Sequence, residues 1–202
     1  MNRVDPRPQN KVLAAIIIWY ALAIFAGGSG FTLRMVPPLP QIVLFGLVVL
    51  LLLLYWLSQS FRMWVLSVNI KLLIAVHLTR FVGFYFLFLY SRGQLPYDFA
   101  VLGGWGDIIV ATAALLVILL APLVGKSGWI ICLVWNLIGL VDILFVIATA
   151  ARLTIADPQS MSELLKLPLS LLPTFLVPII IFTHIIIFIR LHKARRTGYV
   201  KL

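Results

Sequence analysis

Six long apolar runs, parted by short joints that carry most of the charge, decide the solvent in which this chain folds. Hydrophobic residues make up 63% of its 202 positions and charged residues 11%. A soluble domain of this size has too little interior to hide that much apolar surface, so the solvent must be lipid. A spanning helix needs about 20 mostly apolar residues. Such spans are expected over 11–32, 40–57, 63–90, 99–120, 128–150 and 165–191. In lipid every backbone N–H and C=O must be satisfied within the protein, which leaves helices or a closed barrel. Barrel strands alternate apolar and polar residues. The run Leu47-Val48-Val49-Leu50-Leu51-Leu52-Leu53-Leu54 does not alternate. The fold class is therefore all-α: a polytopic integral membrane protein of six transmembrane helices. Short joints imply one antiparallel bundle.

The 11–191 domain is flanked by a short segment, 1–10, and a basic tail, 192–202. Arg3, Arg7 and Lys11 open the first span, and Arg190, Lys193, Arg195, Arg196 and Lys201 close or follow the last. Arg62 and Lys126 lie in joints on that same side. Lys and Arg collect on the cytoplasmic face, so both termini read as cytoplasmic, in a plasma (inner) membrane. The net charge of +10 does not imply nucleic acid, because no folded basic surface carries it. A basic tail beside a bilayer meets anionic lipid headgroups. The first span is too long for a signal core, and its Ala21-Leu22-Ala23 triplet lies inside the run rather than after it. The lone Cys132 can form neither an intrachain disulfide nor a multi-thiolate site and reads as a packing residue.

Function has to be sought among the few polar residues at membrane depth, where a charge costs roughly 2.5–3.5 kcal/mol even on the mildest scale. The third span carries Asn69, Lys71, His77 and Arg80. His77 and Arg80 are helix neighbours, Gly83 follows three residues on, and Asn69, eleven residues before Arg80, falls on nearly the same line. The fourth span carries Gly103-Gly104-Trp105-Gly106-Asp107; three glycines weaken a helix but let neighbours approach closely. On the fifth, Trp135, Gly139 and Asp142 share a face, with Asn136 at its edge. On the sixth, Pro173 and His184 share a face, and Pro178 points elsewhere. Both prolines bend a helix, and Ser170 and Thr174 are placed to satisfy freed carbonyls.

Depth places Arg80, Asp107 and Asp142 together, with His77 near the midplane, and Asn69 and His184 in the inner half. Helices one and two read as lipid-facing. The expected polar site is thus Arg80, Asp107, Asp142, His77 and Asn136, with Asn69, His184, Gly103, Gly104, Gly106, Gly139, Pro173 and Pro178 as secondary members. One cation facing two carboxylates leaves one carboxylate without a full partner, able to exchange a proton. This suits a small proton- or cation-coupled transporter, as a homo-oligomer or with a membrane-protein partner. The bland alternative is an ion pair that fixes helix register in a non-catalytic scaffold or subunit of a larger complex. A haem b protein using His77 and His184 is a third reading. The sequence places His184 about 9 Å inward of its helix centre, which is awkward for one iron. No other cofactor and no metal is expected. Without a His-box, Gly-x-Ser-x-Gly, His-Glu-x-x-His or phosphate loop, an enzyme is the weakest reading.

Overall fold

The computed structural model describes residues 6–121, 125–196 and 198. It is 85% helical, and no strand occurs among the described residues. Among the described residues six helices are long and apolar enough to cross a membrane: Asn10–Gly28, Leu39–Leu57, Ile70–Ser91, Asp98–Leu120, Gly125–Ala156 and Leu172–Arg196. This is the make-up of a multi-pass integral membrane protein. The helical segments are α1 Pro6–Gly28, α2 Leu39–Leu57, α3 Gln59–Ser67, α4 Ile70–Ala75, α5 Gly83–Ser91, α6 Gly104–Leu120, α7 Gly125–Ala156 and α8 Val177–Arg196.

The chain forms two compact units, one over Met1–Val68 and Leu164–Pro178, the other over Asn69–Glu163 and Ile179–Leu202. In the first, α1 and α2 keep most side chains exposed, as hydrocarbon-facing helices should; α2 buries only Leu44, Val48 and Tyr55. A π-helical turn at Leu172–Leu176 packs on α1 and α2. Pro178 has no N–H to give to the carbonyl of Thr174, four residues back. Trp19 of α1 supplies the missing donor, its Nε1 donating to Thr174 O at 2.9 Å. Thr174 Oγ1 in turn donates to Ser170 O at 2.6 Å.

The expected third span, 63–90, is two pieces. Val68 and Asn69 are extended, so α3 ends at Ser67 and a new helix starts at Ile70. Asn69 is its N-cap: Lys71 N donates to Asn69 Oδ1 at 2.9 Å, the favoured use of an asparagine side chain at a helix start. Between α4 and α5 the chain tightens into a 3-10 helix, Val76–Val82. The sixth span begins at Leu172, not near 165, because Pro168 interrupts the run and Ser162–Leu165 is a separate 3-10 turn. The first span ends at Gly28 rather than near Thr32, and the fifth extends to Ala156.

Candidate functional site

All the geometry of interest lies in the second unit. A 3-10 helix has three residues per turn, so side chains at i and i+3 stand directly above one another. Over Val76–Val82 this stacks His77 and Arg80 on one line, continued by Gly83 at the start of α5. At Gly83 the backbone meets α6 with no room for a side chain: a Cβ there would strike the carbonyl oxygen of Gly104. That close approach, built from two glycines, brings the Arg80 line against α6.

Arg80 is buried, its side chain 1% exposed, and each of its three nitrogens has a partner. Nε donates to Asp107 Oδ1 at 2.6 Å, Nη1 donates to Gly139 O at 2.9 Å, and Nη2 donates to Asp142 Oδ2. One guanidinium thus joins α6 and α7 by two charge-assisted bonds and a backbone bond. The Asp107 side chain is 4% exposed and that of Asp142 17%. Gly106 makes room for Asp142, since a Cβ there would fall on its carboxylate. Counted as ionised groups, the triad carries one positive and two negative charges, a net of −1 inside a membrane protein.

A second polar layer adjoins the first. The rings of His77 and His184 lie 4.2 Å apart between centroids, and neither residue has exposed surface. Trp135 stands edge-on to His77 at 4.9 Å, and its Nε1 donates to Val110 O at 3.2 Å. Asn136 is fully buried; its Nδ2 donates to the His184 carbonyl at 3.1 Å, and its Oδ1 lies 2.8 Å from His184 Nδ1. Thr183 Oγ1 donates to Ile180 O at 2.9 Å and lies 3.2 Å from His77 Nε2. Gly139 links the two layers. Its carbonyl accepts from Arg80, and a Cβ on it would come within 2.8 Å of the His184 ring.

The structure therefore gathers Arg80, Asp107, Asp142, His77, Asn136, His184, Gly104, Gly106 and Gly139. Gly103 closes against Val146, where a Cβ would sit 3.2 Å from Cγ2, and it ends a π-helical turn, Asp98–Gly103, that leads into α6. Asn69 is not on the Arg80 line; it caps α4 instead. Pro173 and Pro178 belong to the first unit. The expected offset of His184 is also wrong. With Leu172–Arg196 as the span, His184 is its central residue, and it packs directly on His77. That contact does not favour haem. A metal–imidazole bond is about 2 Å, so two axial rings with a porphyrin between them need centres about 6 Å apart. Sequence reasoning missed Thr183 and the use of the Gly139 carbonyl. Thr183 could have been noticed as the polar residue beside His184; nothing in the sequence marks a carbonyl.

A family model described as a domain of unknown function, DUF8737, matches residues 37–192. The chain belongs to that family. The match contains every member of the two polar layers and leaves α1 outside. No curated protein and no solved structure matches the chain.

Proposed function

We propose that this DUF8737 protein is a small proton-coupled transporter. In it Asp142 is the proton-exchanging carboxyl, Arg80 its counter-ion and Asp107 the fixed anchor. The observation that carries this reading is the asymmetry of the triad: Asp107 and Arg80 are sealed, whereas the Asp142 side chain keeps 17% of its surface open. A net charge of −1 at this depth is costly unless a proton or a cation offsets it. A proton bound to a carboxylate removes one charge without further ligands. The open carboxylate is the member it can reach.

A pH step applied to the protein in a solid-supported membrane tests this. Wild type is expected to give a transient current as protons enter membrane depth. Asp142→Asn should lose the current while remaining folded, because an amide keeps the shape and cannot ionise. A current unchanged in Asp142→Asn contradicts the proposal. In that case Arg80 serves only to pin α6 and α7, and the scaffold reading takes its place.

A further inference from the structure

The hydrogen-bond pattern points to the nitrogen of each buried histidine that carries its proton. Asn136 Nδ2 is committed to the His184 carbonyl, so Asn136 Oδ1 is an acceptor and His184 Nδ1 must donate to it. The Thr183 hydroxyl proton is assigned to Ile180 O, at 2.9 Å the shorter of its two contacts, so that Thr183 Oγ1 accepts and His77 Nε2, at 3.2 Å, donates. In the neutral rings the remaining nitrogens, His184 Nε2 and His77 Nδ1, are then lone pairs. Both are buried, and neither has a hydrogen-bond partner. The Gly139 carbonyl lies beside the His184 ring, but with the ring proton on Nδ1 it meets no N–H there and accepts from Arg80 instead. A buried acceptor left unmatched is costly, and a protein that keeps two of them together calls for a donor.

Arg80 is that donor. A guanidinium has five N–H bonds, and the contacts to Asp107, Gly139 and Asp142 use three of them. One N–H on Nη1 and one on Nη2 remain. Arg80 Nη1 sits on the carbonyl of Gly139, where a Cβ would lie 3.3 Å from His184 Nε2, and His77 stands one 3-10 turn before Arg80. Two spare donors and two spare acceptors therefore occupy one buried neighbourhood.

We propose that the His77–His184 pair is a second seat for the Arg80 guanidinium, taken when Asp142 is protonated. This rests on the reading of Asp142 as the proton site. A proton added to the Asp142 carboxylate removes its charge and turns an acceptor oxygen into a donor, which loosens its bond to Nη2. Asp107, the other charged group facing Asp142 across the guanidinium, still holds Nε. The Nη end pivots about that anchor, and its N–H groups bond the lone pairs of His184 and His77. The imidazoles stay neutral throughout. Proton binding at the open carboxylate thereby moves a cation between α7 and α8, which is the coupling step a proton-driven carrier requires.

Full-length protein labelled with 15N-histidine and 15N-arginine in bilayers gives the test by solid-state NMR. The chain has three histidines, and exposed His192 is the internal control. At alkaline pH, His184 should be the Nδ1–H tautomer and His77 the Nε2–H tautomer. On acidification the lone-pair nitrogens of both should shift to hydrogen-bonded positions while the rings stay neutral, with new arginine-to-histidine proximity signals. Asp142→Asn should show the acid pattern at every pH. Identical tautomers, imidazolium formation, or lone-pair nitrogens unmoved in both wild type and Asp142→Asn overturns the second seat. If the NMR response is lacking but the pH-step current still depends on Asp142, the proton site stands and the seat alone falls. If the NMR response occurs and the current ignores Asp142, the transporter reading falls and the seat stands.

Discussion

Replacing Arg80 by Ala should be among the most damaging single changes in the second unit. It strands Asp107, whose side chain is 4% exposed, and Asp142 beside it. Breaking a buried pair by removing one partner costs about 3–5 kcal/mol, or about two to three and a half orders of magnitude in the folding equilibrium. The damage comes from the carboxylates left behind, not from a large net worth of the triad. A second variant separates these. Arg80→Met with Asp107→Leu and Asp142→Leu removes every charge and replaces it with apolar bulk. Buried ion networks replaced in this way are often neutral or more stable. The triple variant should therefore recover most of the stability lost in Arg80→Ala, yet give no pH-step current. Unfolding by steric trapping in bicelles measures both. A cost for Arg80→Ala of less than about 1 kcal/mol, the range of an exposed pair, would refute a stranded buried charge. A triple variant as unstable as the single one would refute it equally.

The glycines grade themselves by what their missing side chains would meet. Gly83→Ala drives a methyl into the backbone carbonyl of Gly104 and should prevent accumulation of folded protein, read by size-exclusion in detergent. Gly106→Ala meets the Asp142 carboxylate, which can swing away; a loss of about 1–3 kcal/mol is expected, together with a weakened pH-step current. Gly46→Ala on α2 meets nothing within 4 Å and should be neutral or raise stability by up to about 1 kcal/mol. Trp19→Phe removes the donor that satisfies Thr174 O and should cost about 1–3 kcal/mol. In a Pro178→Ala background, where the helix can supply its own N–H, the same change should cost less, and a double-mutant cycle reads the difference. Asp98→Asn breaks the exposed Arg152–Asp98 pair at 2.5 Å and should shift stability by less than about 1 kcal/mol in the same unfolding assay.

The six spans were legible because lipid imposes one demand on every residue of a helix, and composition alone reports it. The local departures from α-helix were not. The Ser67-Val68-Asn69 break interrupts an apolar stretch, and only the Asn69 cap betrays it. The 3-10 stretch at Val76–Val82 has no sequence mark either. An α-helical reading sets His77 and Arg80 as neighbours that drift around the helix, whereas the tighter winding stacks them. Charge scarcity made Arg80, Asp107 and Asp142 conspicuous, since so few groups at that depth could answer one another. His184 was misplaced because its depth was counted from a helix thought to start near 165. With the start moved to Leu172 and the end to Arg196, His184 is central. The π-helical turns at Asp98–Gly103 and Leu172–Leu176 likewise depend on packing and on proline-freed carbonyls that no residue type announces.

The most direct test of the central claim, that Asp142 carries the exchangeable proton, is an acid-minus-alkaline infrared difference spectrum of the protein in bilayers. A protonated-carboxyl band should appear on acidification in wild type, persist in Asp107→Asn and disappear in Asp142→Asn. A band that survives in Asp142→Asn and vanishes in Asp107→Asn, or no such band in wild type, would contradict it.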